Sequence, residues 1–225
     1  VITGAGGYLG CGIALRLAEE GASIAVNDRA LEEASKTLNL IIAQGGQAVA
    51  HAADVTKTSE VNEMISQVKK KWGRIDILVN NAGGPRDVAL VKMTDEDWDA
   101  VVDLNLKGSF ICARAVAPHM IEQGGGRIIN ISSTAYTGKN VGQVNYASAK
   151  AGVVGLTRAL GLELARYGIT VNCVAPGLID TPKTRAYQKK IADRLIEAIP
   201  MRRMGEIEDI ANAVLFLASD ESRYI

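Results

Sequence analysis

Short apolar runs alternate with longer amphipathic stretches along almost the whole chain. The runs are rich in Val, Ile and Ala without strict polar alternation, which predicts strands that are buried on both faces of a sheet. We expect these strands at residues 1–2, 22–27, 48–51, 75–80, 127–132 and 169–175. Apolar positions with helical spacing predict helices between and after them, at residues 8–20, 31–43, 60–71, 95–122, 146–166 and 208–217.

The regular exchange of strand and helix is typical of an α/β fold. It predicts a doubly wound parallel sheet between two layers of helices, a Rossmann fold in a three-layer α/β/α arrangement. Right-handed crossovers favour the strand order 3-2-1-4-5-6. We interpret residues 1–225 as a single domain, and we expect that it is clipped at both ends because residues 1–2 are too short for a complete first strand.

Small and polar residues follow each predicted strand. The first strand leads into the glycine-rich segment TGAGGYLG at 3–10, and later strands lead into Asp28, Asp54, NNAG at 80–83, SS at 132–133 and PG at 176–177. Ligands of open α/β sheets bind beyond the carboxyl ends of the strands. A glycine-rich loop before a helix also brings backbone N–H groups close to a phosphate. The sequence therefore predicts a dinucleotide site at this edge.

Asp28 is the residue that bears on cofactor choice. A carboxylate at the end of the second strand accepts hydrogen bonds from the adenosine ribose hydroxyls and repels a 2′-phosphate. Thr3–Gly12 contains no Lys or Arg to receive that phosphate. NAD(H) is therefore favoured, although the neighbouring Arg29 leaves NADP(H) open. The alternative is that Asp28 only caps the helix that begins near Leu31.

Tyr146 and Lys150 are four residues apart, so both lie on one face of a predicted helix. A free phenol has a pKa of about 10, and a neighbouring ammonium favours the phenolate and lowers that value. Such a pair suits proton exchange near neutral pH. Ser133 at a strand end and Asn105 on a nearby helix strengthen the prediction of a catalytic group.

These segments, in this order, resemble the short-chain dehydrogenase/reductase family over essentially the whole chain. The resemblance implies an oxidoreductase that transfers hydride between nicotinamide and a secondary alcohol or ketone. It implies that Tyr146 is the general acid or base, that Lys150 lowers the pKa of Tyr146 and binds the nicotinamide ribose, and that Ser133 polarises the substrate oxygen. Asn105 is similar to the residue that positions a relay water behind Lys150.

The resemblance also implies which residues hold the cofactor. The expected set comprises the glycine-rich loop, the residues after the second, third and fourth strands, the catalytic pair and the segment that orients the carboxamide. In full, it is Gly4, Gly7, Tyr8, Leu9, Gly10, Asp28, Arg29, Asp54, Val55, Asn80, Asn81, Ala82, Gly83, Tyr146, Lys150, Pro176, Gly177, Ile179 and Thr181.

The loop departs from the family pattern at one position. The smaller branch usually has TGxxxGxG, which requires Gly where Tyr8 stands, whereas TGAGGYLG fits the TGxxGxxG spacing of the extended branch. An epimerase or dehydratase that returns hydride to the same ligand is therefore an alternative. A non-catalytic dinucleotide-binding regulator is another, although it has no need of Asn105, Ser133, Tyr146 and Lys150.

GQVNYASAK and GITVNCVAPG are similar to 3-oxoacyl-thioester reductases and related secondary-alcohol dehydrogenases within the family. Carrier-protein reductases of this type place basic residues where Gly124 and Tyr167 stand, which disfavours a protein-bound acyl group without excluding it. Residues 178–204 are expected to form a substrate lid, whose basic and apolar residues suit a partly apolar substrate with an anionic end. Family members pair their long helices between subunits, so a homotetramer or homodimer is expected.

Composition narrows the class of protein further. Lys+Arg and Asp+Glu are both 25, and this zero net charge argues against partners that are nucleic acids or anionic membranes. The widely spaced Cys11, Cys112 and Cys173 indicate reduced thiols in a cytoplasmic protein. His51 and His119 are isolated, so no metal site is expected.

Overall fold

The parallel sheet predicted from the apolar runs is present in the structure. The structure is a computed structural model that describes residues 1–138, 140–186 and 189–225. Its strands are β1 (Ile24–Asp28), β2 (Ala48–Ala52), β3 (Ile77–Asn80), β4 (Gly126–Ile131) and β5 (Ile169–Val174). Ile2 bridges Val26 of β1 and Val79 of β3 in parallel. The strands therefore follow the order β2-β1-Ile2-β3-β4-β5, which confirms the doubly wound fold class.

Helices cover both faces of this sheet. They are α1 (Tyr8–Glu19), α2 (Leu31–Ala43), α3 (Thr58–Trp72), α4 (Asp95–Val102), α5 (Gly108–Glu122), α6 (Val144–Leu164), α7 (Pro182–Arg185), α8 (Lys189–Glu197) and α9 (Ile207–Ala218). The helices of the described chain include none that is both long enough and apolar enough to span a membrane.

The core forms two layers because neighbouring strand residues point to opposite faces. Leu78 and Ile128 pack with the apolar side chains of α3 and α5 on one face. Their successors Val79 and Ile129 pack with α1, α2 and α9 on the other face. Burial on both faces explains why the strands read as continuous apolar runs.

The helix predicted at residues 95–122 is not a single regular helix, so that prediction was wrong in detail. A π-helical turn at Asp103–Lys107 separates α4 from α5 and contains Asn105. Within it, the Asn105 amide Nδ2 donates to the Val101 carbonyl at 2.8 Å, and Ser109 Oγ donates to the Asn105 carbonyl at 2.8 Å. A wider turn keeps helical dihedral angles, so apolar spacing does not reveal it.

The two ends of the segment at residues 178–204 lie close together. The Gly205 N–H donates to the Leu178 carbonyl at 3.0 Å, and the Asp180 N–H donates to the Gly205 carbonyl at 2.8 Å. Helices α7 and α8 lie in this segment. Tyr187, part of the expected lid, lies outside the described residues. That residues 178–204 form a lid over the substrate stays a prediction.

Candidate active site

One cavity of about 730 Å³ lies beyond the carboxyl ends of the strands. It is lined by every residue that the sequence predicts for the cofactor site except Asn80, and by Ser133. The structure therefore brings together Gly4, Gly7, Tyr8, Leu9, Gly10, Asp28, Arg29, Asp54, Val55, Asn81, Ala82, Gly83, Ser133, Tyr146, Lys150, Pro176, Gly177, Ile179 and Thr181. Asn105 lies behind this lining rather than in it.

The amino end of α1 provides the phosphate-binding geometry that the loop predicts. Its N-cap is Gly7, with no side-chain hydrogen bond to the first turn. The first N–H groups of a helix have no partner within the helix and carry a partial positive charge. Tyr8, Leu9 and Gly10 line the cavity, so these backbone donors fit a diphosphate. Tyr8, where the smaller branch has Gly, is 56% exposed and does not fill the loop.

The loop needs glycine most clearly at Gly4 and Gly10. Gly4 has a φ of +62°, and a Cβ there would lie 2.8 Å from the Cα of Ala82. A Cβ on Gly10 would lie 2.6 Å from the side-chain nitrogen Nδ2 of Asn81 and 2.6 Å from the Gly4 carbonyl oxygen. A Cβ on Gly7 would have only an ordinary contact, 3.5 Å from the same carbonyl oxygen. Because Gly4 and Gly10 have no Cβ, the backbone of the loop can lie directly against the residues that follow β3.

Two carboxylates lie at the end of the cavity nearest β1 and β2. Asp28 accepts the Ala30 N–H on Oδ1 at 3.2 Å, while Ala30 itself is the N-cap of α2. Asp54 accepts the N–H and the hydroxyl of Thr56 at 2.9 and 2.8 Å. Burial raises the pKa of Asp54, but these hydrogen bonds and the charges of Lys57 and Arg29 outweigh it, and the pKa falls below its ordinary value. Both carboxylates therefore suit contacts with hydroxyl and amino donors.

The asparagine pair after β3 is divided between core and cavity. Asn80 is buried, and its Nδ2 donates to the Ser109 carbonyl and to Asn130 Oδ1. Its expected place at the adenosine ribose is therefore wrong, since the last residue of the strand still points into the packed layer. Asn81 lines the cavity and donates from Nδ2 to the carbonyls of Thr3 and Gly4 at 2.9 and 3.1 Å.

Tyr146 on α6 and Ser133 after β4 line the cavity together, and their side chains lie close enough to interact. Burial raises the pKa of the Tyr146 phenol above its ordinary value, the Ser133 side chain acts to lower it, and the charge of Asp87 raises it. The lowering expected from Lys150 is not found, because burial disfavours the phenolate and Ser133 is the group that acts against it. Tyr146 therefore keeps its proton across neutral pH, which suits a general acid.

Lys150 is buried with only 3% of its surface exposed. Its ammonium Nζ donates to the Ile131 carbonyl at 2.7 Å and lies 5.7 Å from the centroid of the Tyr146 ring. Burial lowers the pKa of Lys150 to about 8, against a weaker opposing effect of Cys173. The Lys150 carbonyl also accepts Ser132 Oγ at 2.8 Å. Lys150 is thus fixed to the end of β4 and still mainly cationic at neutral pH.

Asn105 supports the loop that follows β3. Its side-chain Oδ1 accepts the Gly84 N–H at 3.1 Å and its Nδ2 donates to the Gly84 carbonyl at 3.1 Å. The side-chain amide is therefore occupied by protein groups on both sides. The relay water expected behind Lys150 stays a prediction.

Some cavity-lining residues escaped the sequence reasoning. They are Ala53, Thr56, Ala100, Leu104, Ile131 and Lys183, whereas Asn27 and Ser132, which also line the cavity, belong to the predicted strand ends. Most of them are small or apolar and carry no signal of their own. Lys183 is different, because it follows Thr181 by two positions and places a cation at the cavity wall.

Comparison with known proteins agrees with this geometry. A family model described as enoyl-(acyl carrier protein) reductase matches residues 4–225. The (2S)-[(R)-hydroxy(phenyl)methyl]succinyl-CoA dehydrogenase subunit BbsD of Thauera aromatica is 47% identical over 100% of this chain and 90% of its own length. The 3-oxoacyl-[acyl-carrier-protein] reductases of Staphylococcus epidermidis and Thermotoga maritima are 46% and 43% identical over 100% of this chain, covering 93% and 92% of their own lengths.

Proposed function

The chain belongs to the short-chain dehydrogenase/reductase family and is a dinucleotide-dependent oxidoreductase acting on a secondary alcohol or ketone, and from that premise we propose how it works. Tyr146, Ser133 and Lys150 are its catalytic residues, with Asn105 behind them. The observation that carries this assignment is that the phenol, the serine and the buried ammonium share one cavity with the glycine-rich loop.

The residues of this chain supply alignment and proton transfer. When bound, the nicotinamide dinucleotide supplies or accepts hydride. Ser133 donates a hydrogen bond to the substrate oxygen and holds it near Tyr146. Tyr146 donates its proton to that oxygen as negative charge develops, and the nearby Lys150 cation stabilises the resulting phenolate. In alcohol oxidation the same groups act in reverse.

We propose NAD(H) as the preferred dinucleotide. Asp28 lies in the cavity and uses only Oδ1 in the turn to Ala30, which leaves Oδ2 without an assigned hydrogen-bond donor among the described residues. Its charge repels a 2′-phosphate, while Arg29 beside it attracts one. Kinetics with NADH and NADPH decide which charge dominates, and a higher kcat/KM with NADPH contradicts this proposal.

We propose a 3-oxoacyl thioester, or the corresponding 3-hydroxyacyl thioester, as the substrate class. The loop that precedes α4 and the loop that precedes α6 meet beside Tyr146, where the Val88 N–H donates to the Gly142 carbonyl at 2.9 Å. They carry exposed apolar side chains, including Leu90, Val91 and the 98% exposed Val141. Exposed apolar side chains on these loops suit an acyl chain, and three of the relatives are named for thioester chemistry.

We also propose that the protein is a cytoplasmic homotetramer or homodimer. Phe110 on α5 and Leu162 on α6 are exposed, and Leu162 has 86% of its surface accessible. Both side chains lie on the long helices that the family resemblance expects to pair between subunits. Cys11, Cys112 and Cys173 are all unpaired, which fits a reducing compartment. Light scattering of the wild type and of Leu162→Glu tests the assembly, and a monomeric wild type contradicts it.

A spectrophotometric assay tests the reaction itself. The wild type is mixed with NADH or NADPH and with acetoacetyl-CoA, an acyl-carrier-protein thioester or simple ketones. We expect oxidation of NADH with the CoA thioester. Turnover with the acyl-carrier-protein thioester alone would mean that the substrate is carried by the carrier protein and not by CoA. Tight dinucleotide binding with no net oxidation by any carbonyl favours an epimerase, a dehydratase or a regulator.

A further inference from the structure

We propose that Asn145 is a positioning residue that holds the catalytic phenol of the neighbouring Tyr146. This inference rests on the proposed role of Tyr146. Asn145 has no exposed surface, and it does not line the cavity. Its side-chain amide instead joins three parts of the chain at the point where the catalytic helix begins.

The start of α6 lacks an ordinary cap. The N-cap position is Gln143, whose side chain makes no hydrogen bond to the first turn. The first N–H groups of a helix need partners from outside the helical pattern. Asn145 provides one from inside the first turn, because its Oδ1 accepts the N–H of Tyr146 at 2.7 Å.

The other end of the same amide ties the helix to its neighbours. Asn145 Nδ2 donates to the Arg86 carbonyl at 3.1 Å and to the Asp97 carbonyl at 3.1 Å. The first belongs to the loop after β3 and the second to α4. A reversed amide would point its oxygen at two carbonyl oxygens, so the orientation follows from the partners.

Further contacts hold the three parts together. The Arg86 guanidinium Nε lies 2.7 Å from Asp97 Oδ1, and Asp97 Oδ2 accepts the Thr94 N–H at 3.1 Å in the cap of α4. Gln143 Nε2 donates to Asp87 Oδ1 at 3.0 Å. The loop after β3 is therefore attached to α6 at its start, while Asn105 attaches the same loop at Gly84.

This arrangement acts on the phenol more than on the cation. Tyr146 lies in the first turn of α6, directly after Asn145, whereas Lys150 is one turn deeper and is held independently by the Ile131 carbonyl. Loss of the amide would let the first turn shift while Lys150 stays in place. Misplacement of a catalytic group by about 1 Å costs as much as about 100-fold in rate. The expected defect is therefore in kcat, with cofactor binding preserved.

The test compares Asn145→Ala with Thr157→Val, a matched change on the same helix. Thr157 is also buried, and its hydroxyl accepts Asn130 Nδ2 at 2.9 Å and donates to the Val153 carbonyl at 2.7 Å, far from Tyr146 along α6. Both variants lose buried hydrogen bonds, so both are expected to unfold at a lower temperature. At a temperature where both remain folded, we expect kcat to fall by about 10-fold or more in Asn145→Ala and by less than about two-fold in Thr157→Val.

Dinucleotide affinity, measured by fluorescence, is expected to change by less than about three-fold in Asn145→Ala. If kcat of Asn145→Ala stays within two-fold of the wild type while its unfolding temperature falls, the residue is only structural and the inference is wrong. Equal losses of kcat in both variants also contradict it. A wild type with no turnover would instead contradict the proposed function, so the two failures are distinguishable.

Asn145→Asp keeps the inference testable if the alanine variant does not fold. It retains an acceptor for the Tyr146 N–H but removes both donors and places a negative charge near the phenol. We expect a lower kcat and an alkaline limb of the pH profile that moves upward, because the added carboxylate favours the Lys150 ammonium and disfavours the Tyr146 phenolate. An unchanged kcat and pH profile in this variant contradict the positioning role.

Discussion

The two ends of the cavity are built differently. At the nucleotide end, the binding surface consists of backbone and of short or partly exposed side chains such as Asp28, Asp54 and Arg29. At the catalytic end, Asn105, Asn145 and Lys150 are buried, and each makes specific hydrogen bonds to backbone groups of other segments.

This difference separates selectivity from chemistry. Asp28 and Asp54 at the nucleotide end accept hydrogen bonds from within their own turns, so exchange of such a side chain alters ligand preference with a small effect on stability. A buried polar side chain at the catalytic end supports the fold and the reaction together, so its exchange affects both. The predictions below test this contrast from the largest effect to the smallest.

Tyr146→Phe removes the proposed acid and keeps the ring. We expect kcat for carbonyl reduction to fall by about 1,000-fold or more, since general acid catalysis contributes up to about four orders of magnitude. NADH binding is expected to stay within a few-fold of the wild type. Stopped assays at high enzyme concentration measure the residual rate, and a kcat close to the wild-type value refutes the assignment of Tyr146.

The pH dependence of kcat/KM tests whether the reaction requires the positive charge of Lys150. Because burial lowers the pKa of this ammonium to about 8, its charge is lost above that pH. The ratio kcat/KM reports the pKa values of groups in the free enzyme. We therefore expect kcat/KM for reduction to fall about ten-fold per pH unit once the pH exceeds the pKa of Lys150. A profile that stays flat until the pH exceeds 10 would mean that the Lys150 cation is not required.

The free energy of unfolding is expected to change with pH in the direction opposite to kcat/KM. Folding lowers the pKa of Lys150 from 10.5 to about 8, so the unfolded chain binds more protons between these values. The contribution of Lys150 to the free energy of unfolding therefore rises with pH across this window, by about 3 kcal/mol in total. Denaturant unfolding of the wild type and of Lys150→Met at pH 7 and pH 10 isolates this contribution, which should be absent in the variant.

Asp28→Asn tests the nucleotide end without changing side-chain shape. The amide keeps an acceptor for the Ala30 N–H but loses the charge, so we expect the preference for NADH over NADPH to fall by about ten-fold, as for a lost charge-assisted hydrogen bond. The unfolding temperature should barely change. Glu32→Gln, an equal charge change on α2 next to Lys36, is the control. An equal change of the NADH-over-NADPH preference in both variants would mean that the net charge of the protein, and not the position of Asp28, sets this preference.

The same contrast explains how far the sequence was informative. The fold class and the edge of the sheet that carries the site follow from apolar runs and from polar residues at strand ends, which are local signals, and the family resemblance then implied which residues line the cofactor site. The π-helical turn at Asn105, the inward direction of Asn80 and the three-way contacts of Asn145 depend on neighbours that are distant in sequence. The raised pKa of Tyr146 likewise depends on burial, which a motif does not encode.

The smallest effect is expected from Lys183, which lies at the cavity wall on α7. Thr3–Gly12 contains no cation, so we expect Lys183 to attract the diphosphate, but its exposure limits the gain. We expect Lys183→Met to weaken NADH binding by about three-fold and to reduce its salt dependence, whereas Lys189→Met, which removes a cation paired with Asp193, should change neither. Isothermal titration at low and high salt measures both quantities. If Lys183→Met leaves NADH binding unchanged but raises KM for an anionic thioester, the cation serves the substrate instead, and the diphosphate is held by the amino end of α1 alone.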